Sequence, residues 1–275
     1  MATWESRFID VGGIRTHYLE AGEGPTVVLL HSGEFGGCAE LSWEHNIPAL
    51  ARRFRVVAPD WLGFGKTDKL YDFAQGHRRM LTHIVSFLET LGIDHADFIG
   101  NSMGGSFLCR VAASDQPIFP IRRMVLASGG GFAPDNPARR ALLEYDCTRD
   151  AMRAILQAVF HDPAWAQDES YIERRHALTL EPGVWECAAA ARFRSPAMAP
   201  PKEFGKADDT AYEKVSVPTL IVAGANDQLR LPGYADELHE RIVGSQLLVF
   251  DNCGHCPNIE KADQFNTAVI DFLTR

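Results

Sequence analysis

Short apolar runs alternate with amphipathic stretches through the first half of the chain, the pattern of a mostly parallel sheet whose strands are joined by helices. Arg7 to Asp10 and Ile14 to Glu20, split by Gly12-Gly13, predict an opening hairpin, and Pro25 to His31 and Phe54 to Asp60 predict buried strands. Arg78 to Leu91 predicts an amphipathic helix, Ala96 to Asn101 a strand, Met103 to Ala113 a helix and Ile121 to Ala127 another strand. From about Ala133 to Tyr212 the pattern changes: helical segments rich in Ala, Arg and aromatic residues are broken by Pro163, Pro182, Pro196 and Pro200-Pro201. Strands return at Val217 to Gly224 and Ser245 to Phe250, and a last helix is expected to begin near Glu260. The pattern predicts an α/β core over residues 1–132 and 213–275, interrupted by a helical lid over 133–212.

Within this frame, Phe98-Ile99-Gly100-Asn101-Ser102-Met103-Gly104-Gly105 places a serine between small residues where an apolar strand passes into a helix. That is the layout of a nucleophile elbow, in which a strained turn exposes the serine hydroxyl and the next amide, here on Met103, supplies one oxyanion donor. A serine nucleophile needs a base, and the base needs an orienting carboxylate. Of ten histidines, His255 lies in a loop between the last strand and the last helix, and Asp227 follows the carboxyl end of the preceding strand. Both loops fall on the sheet edge that carries Ser102. The order Ser102, Asp227, His255 is that of the α/β-hydrolase triad. Asp236, expected on a helix, and Asp251, close to His255 in sequence, are weaker candidates for the acid.

Composition narrows the partners. With 275 residues and 46% hydrophobic content the chain suits one α/β domain with an insertion, and a net charge of −9 without a basic run argues against nucleic acid. The amino end lacks the basic and apolar regions of a secretory signal, and no stretch reaches the length of a membrane span, so the expected location is the cytoplasm. Six scattered cysteines are expected to be reduced thiols. Cys253-Gly254-His255-Cys256 has no second Cys/His cluster to complete a metal site, so neither a metal nor a cofactor is expected. The partner is expected to be a small molecule, and a homo-oligomer is compatible with the composition.

Three motifs carry a resemblance that covers nearly the whole chain. The sequence resembles the α/β-hydrolase superfamily and, within it, the meta-cleavage product hydrolases, serine enzymes that hydrolyse a carbon-carbon bond in ring-opened aromatic catabolites. Gly100 to Gly105 is similar to that family's elbow, including Asn101 before the nucleophile. Cys253-Gly254-His255 followed by Glu260 to Asn266 is similar to its histidine loop and final helix. Glu173-Arg174-Arg175-His176-Ala177-Leu178 aligns with a lid segment whose arginine, here Arg175, contacts the polar end of the substrate in the family. The resemblance implies hydrolysis by Ser102, Asp227 and His255 without a cofactor, with an oxyanion hole formed by the amides of Gly33 and Met103. An esterase or lactonase using the same triad, and a ligand-sensing protein that retains it, are the alternatives. A nucleophilic serine disfavours epoxide hydrolase or dehalogenase chemistry, which needs a carboxylate there.

The chain departs from the family near the expected substrate. His31-Ser32-Gly33-Glu34-Phe35-Gly36-Gly37 stands where the family usually has His-Gly-x-Gly-Pro-Gly, Ser42 aligns with a frequent asparagine, and Cys256 replaces a tryptophan. Asn101, Glu34, Ser42, Cys256 and Arg175 are therefore the expected substrate contacts. Glu34 has two readings: it faces the substrate, or it points outward to pair with His45 or a lid arginine, and the second is favoured because charged groups stay solvated or paired. At least half of the aromatics Phe160, Trp165, Trp185 and Phe193 are expected to pack the lid. Arg174, Arg192 and Arg194 fit a solvated face, as do the pairs Arg52-Arg53 and Arg78-Arg79.

Overall fold

The computed structural model describes residues 4–71, 77–190 and 205–275. Among the described residues eight strands form one sheet: β1 Glu5–Val11, β2 Ile14–Ala21, β3 Thr26–Leu30, β4 Arg55–Pro59, β5 Ala96–Asn101, β6 Ile121–Ala127, β7 Thr219–Gly224 and β8 Gln246–Phe250. Their order is β1-β2-β4-β3-β5-β6-β7-β8, with β1 and β2 antiparallel and all pairs from β4 to β8 parallel. The β1/β2 hairpin closes through Gly12 and Gly13, both at positive φ, which explains the glycine pair between two strand-forming runs. Among the described residues twelve α-helices accompany the sheet: α1 Ala39–Trp43, α2 Ile47–Leu50, α3 His77–Thr90, α4 Met103–Ala112, α5 Pro137–Leu143, α6 Arg149–Val159, α7 Ala164–Gln167, α8 Glu169–Thr179, α9 Val184–Ala190, α10 Tyr234–Arg241, α11 Pro257–Glu260 and α12 Ala262–Thr274.

The central strands are apolar without alternation because both of their faces are covered. In β3, Val28 and Leu30 face a core shared with Phe87, Phe98, Phe107 and Leu238, whereas Val27 and Leu29 face Trp43, Leu50, Phe265 and Val269 on the other side. A third core joins the helices between β6 and β7 to the carboxyl edge of the sheet: Met152, Ile155 and Leu156 of α6 and Ile172 of α8 pack with Phe35, Leu229, Cys256 and Ile259. Within 133–212, the described residues hold helices α5 to α9 and no strand. Side-chain caps start three of these helices, among them α6 and α8. Thr148 Oγ1 accepts from Ala151 N at 3.1 Å, and Asp168 Oδ1 accepts from Ser170 N and Tyr171 N at 2.9 and 3.1 Å. Each cap contributes about 1 kcal/mol, and the second fixes the start of the helix that carries Arg175.

One expected element is divided. The last helix comprises α11, with Pro257 at its first position, and α12, separated at Lys261, whose φ of −124° and ψ of 40° leave the helical region. Among the described residues, no helix is long and apolar enough to cross a membrane. Phe193, Arg192 and Arg194 lie outside the described residues.

Candidate active site

Three parallel strands deliver three side chains to one edge. Ser102 follows β5 directly, at φ 50° and ψ −110°, a left-handed conformation that a non-glycine residue adopts only when its surroundings enforce it. Its amide donates to Ala127 O at 2.9 Å and its carbonyl accepts from Ser106 N at 2.8 Å, so the turn is tied to β6 on one side and to the first turn of α4 on the other. The flanking glycines permit this approach. A Cβ at Gly100 would lie 2.5 Å from Gly105 N, and one at Gly104 would lie 2.2 Å from Leu30 O. Both contacts are to backbone, which has nowhere to move.

His255 Nε2 lies 2.7 Å from Ser102 Oγ, and His255 Nδ1 lies 2.7 Å from Asp227 Oδ2. Both side chains are buried. Asp227 Oδ1 accepts from Leu229 N at 2.8 Å, which fixes the carboxylate plane. Burial pushes the Asp227 carboxyl up, but His255 and Arg230 outweigh it and hold the group below its ordinary pKa. Burial lowers the His255 pKa, and although Asp227 opposes this, Arg139 and Arg230 act with burial and the net shift is downward. The imidazole is therefore neutral at pH 7 and free to accept a proton at Nε2.

The histidine loop is fastened to α6. His255 N donates to Val159 O at 2.8 Å, while Glu260 accepts from Gly254 N at 2.7 Å and from His161 N and Asp162 N at 2.9 and 3.1 Å. The loop bearing Gly33 is held by His31, whose Nδ1 donates to Ser32 O at 2.6 Å and whose Nε2 accepts from Trp61 N at 3.0 Å. A Cβ at Gly33 would fall 2.5 Å from Met103 Sδ, so these two residues abut. Among the described residues, neither the Gly33 nor the Met103 amide donates to a backbone carbonyl of the turns and loops.

Five residues expected at the substrate have defined neighbours. Asn101 is buried, and its Nδ2 donates to Ala127 O at 3.1 Å and to His255 O at 3.4 Å, bracing the histidine loop from β5. Ser42 Oγ lies 3.4 Å from Ser32 Oγ, and its carbonyl accepts from Asn258 Nδ2 at 2.7 Å. The Cys256 thiol is buried, and burial together with Glu34 raises its pKa well above the ordinary range, so it stays neutral. The outward reading of Glu34 is corrected: its carboxylate is buried and accepts from Arg175 Nη1 at 2.8 Å. Arg175 of α8 is its partner, and the pair lies inside, where the guanidinium offsets the cost of desolvating the carboxylate. His45 faces Glu44 instead, at 3.9 Å. Burial opposes ionisation of Glu34, yet Arg175 holds its pKa below the ordinary value.

The neighbouring residue Arg174 is exposed and pairs with Glu44 at 2.9 Å. Phe160 stacks on Trp165 with ring centres 4.9 Å apart, and Trp185 lies nearly parallel to Phe35, so the described aromatics of this region pack largely on one another and on the loop after β3. Arg52, Arg53, Arg78 and Arg79 are exposed. Asp251 is exposed, and Asp236 lies in the first turn of α10. Among the described residues, no group of three His, Cys, Asp or Glu side chains is placed to hold a metal ion.

Two functional neighbours carry no sequence signal. Arg230 Nη2 donates to Ser128 O at 2.7 Å, and Arg139 Nη2 donates to Leu229 O at 2.7 Å, placing two buried guanidinium groups around the Asp227 loop. Burial and Arg230 push Arg139 down to about 9. An arginine in a loop or on a short helix reads as solvated, and only the carbonyls that receive these donors reveal otherwise.

The family model described as "Alpha/beta hydrolase family" matches residues 27–268. The chain is 31% identical to a 2-hydroxy-6-oxo-6-(2'-aminophenyl)hexa-2,4-dienoic acid hydrolase of Metapseudomonas resinovorans, over all of this chain and 92% of the relative. It is 32% identical to a 2-hydroxymuconate semialdehyde hydrolase of Pseudomonas sp. (strain CF600), over 97% of this chain and 93% of the relative. Among solved structures, a meta-cleavage product hydrolase from Pseudomonas fluorescens IP01 matches with a TM-score of 0.86 and 29% identity, over 98% of this chain and 97% of that one.

Proposed function

The chain belongs to the alpha/beta hydrolase family, and from that premise we propose that it hydrolyses a carbon-carbon bond next to a carbonyl in a ring-fission product of aromatic degradation. The observation that carries the chemistry is the pair of 2.7 Å links from Ser102 Oγ to His255 and from His255 to Asp227. The bond type draws on the relatives, which are named hydrolases of 2-hydroxy-6-oxo-dienoates and of 2-hydroxymuconate semialdehyde.

In this reading the dienol substrate is first ketonised with Arg175 at its polar end. Ser102 Oγ attacks the remote carbonyl carbon as His255 Nε2 takes the hydroxyl proton, and Asp227 stabilises the imidazolium. The amides of Gly33 and Met103 donate to the oxyanion, worth about 3 kcal/mol per donor in related sites. Collapse breaks the carbon-carbon bond, and its electron pair becomes an enolate that takes the proton from His255. Water, deprotonated by the same imidazole, then releases the acyl group as a carboxylic acid. The helices over 133–212 act as a lid on the core of 1–132 and 213–275. Six free thiols suit a reducing compartment, and we place the enzyme in the cytoplasm.

A second reading, ester or lactone hydrolysis with the same groups, draws on the Glu34–Arg175 pair, which occupies a cation that carboxylate-bearing substrates would use. Yellow dienoates tested beside aryl esters and lactones separate the two. Faster turnover of the dienoates supports carbon-carbon hydrolysis, and persistent colour with rapid ester cleavage moves the assignment to an esterase.

The base must be neutral to act. Because the His255 pKa lies below its ordinary value of 6.5 in the folded protein, the base form persists as pH falls past that value. The acid limb of kcat/KM is therefore expected to have its midpoint below 6.5. A pH profile with its midpoint above 6.5 would contradict this.

A further inference from the structure

Glu34 and Arg175 form a buried ion pair next to the loop that carries Gly33. Glu34 directly follows Gly33, which abuts Met103, and the next residue, Phe35, packs in one cluster with Cys256, the residue after His255. Only Nη1 of the guanidinium is engaged, by Glu34 Oε1 at 2.8 Å. Nε and Nη2 are buried and have no hydrogen-bond partner among the described residues, and neither has the hydroxyl of Tyr171, over whose ring the guanidinium lies at 5.2 Å. The Nε and Nη2 donors are thus left for an oxygen acceptor, with the Tyr171 hydroxyl close to the guanidinium, but the cationic charge beside them is already balanced. The orphaned Nε–Nη2 edge is the side of the fork that binds a planar pair of oxygens.

A carboxylate docked there leaves the buried cluster with a net negative charge, and Glu34 repels it at short range in a medium that screens poorly. An uncharged carbonyl or ester accepts the same hydrogen bonds without adding charge. Specificity is a difference between affinities, and Glu34 reduces one side of that difference. We propose that Glu34 is a specificity-determining residue that holds Arg175 as a neutral pair, so that the polar end of the site accepts an uncharged oxygen acceptor at least as well as a carboxylate. The inference rests on the reading of this site as a dienoate hydrolase site and concerns which charge state of such a substrate it prefers.

The test measures binding rather than turnover, so that it is separable from the proposed reaction. In Ser102→Ala protein, dissociation constants are measured by absorbance for 2-hydroxy-6-oxo-6-phenylhexa-2,4-dienoate and for its methyl ester. The ester is expected to bind as tightly as the acid or more tightly. Adding Glu34→Gln, which keeps a carbonyl acceptor for Nη1 but removes the negative charge, is expected to shift the acid-to-ester affinity ratio at least tenfold toward the acid, whereas Glu34→Asp leaves the ratio near its starting value. Binding of the acid more than tenfold tighter than the ester overturns the proposal on the Ser102→Ala protein alone, even where Glu34→Gln does not fold. So does a ratio that Glu34→Gln leaves unchanged. If the acid is preferred yet hydrolysed by the Ser102 protein, only this inference fails. If neither compound binds, this inference and the dienoate reading fail together. If both bind as expected but neither is hydrolysed, only the reaction is wrong.

Discussion

Ser102→Ala is expected to lower turnover on the order of 10⁶-fold, the loss seen when the nucleophile of a serine hydrolase triad is removed, while the protein still folds and still binds substrate. The expectation follows from the geometry of the elbow. The hydroxyl lost is the one 2.7 Å from His255 Nε2, and no backbone contact depends on it, because Ser102 is tied to β6 and α4 through its own amide and carbonyl. Alanine at φ 50° bears the same strain as serine, so the fold is little changed. Stopped-flow absorbance reads both outcomes together: a bound dienoate whose spectrum shifts on mixing but whose colour then persists. Loss of less than 100-fold would mean that another group attacks the carbonyl.

Asp227→Asn is expected to cost about 10⁴-fold in kcat. An aspartate accepts from His255 Nδ1–H at 2.7 Å and so leaves Nε2 unprotonated and facing Ser102. Asparagine can present its amide N–H to Nδ1, which moves the ring proton to Nε2 and blocks the base. Charge adds to the tautomer effect. Removing the carboxylate leaves Arg139 and Arg230 without their shared anion, and both already act to lower the His255 pKa. Steady-state rates with a thermal melt distinguish this from unfolding. A variant within 100-fold of the parent and with an unchanged melt would show that Asp227 does not orient the base.

The strands were legible because their apolar runs are short and lie at intervals that suit a parallel sheet with crossover helices. β5 and β6 coincide with the expected ranges, and β7 and β8 are shorter by two and one residues at their starts, where Val217 and Ser245 precede the ladder. The loops holding Ser102, Asp227 and His255 were legible for the same reason, since each follows a strand end on one edge. The split of the last helix at Lys261 was not, because it is set by a backbone conformation with no Gly or Pro to announce it. The inward turn of Glu34 was also hidden. A carboxylate is buried only when a particular cation meets it, and Arg175 is 141 residues away. Arg139 and Arg230 escaped on similar grounds, as did the role of Glu260, which reads as a helix start yet accepts three amides that join the histidine loop to the end of α6. Asn101, expected against the substrate, was legible as part of the elbow but not as the brace whose amide reaches His255 O.

Identification of the products decides whether Ser102 hydrolyses a carbon-carbon bond. The purified protein is mixed with 2-hydroxy-6-oxo-6-phenylhexa-2,4-dienoate in ¹⁸O-labelled water, and the products are separated and weighed. Carbon-carbon hydrolysis gives loss of the yellow colour with formation of 2-hydroxypenta-2,4-dienoate and benzoate carrying one labelled oxygen, at rates above those for aryl esters. An intact dienoate beside rapid cleavage of esters or lactones would contradict it.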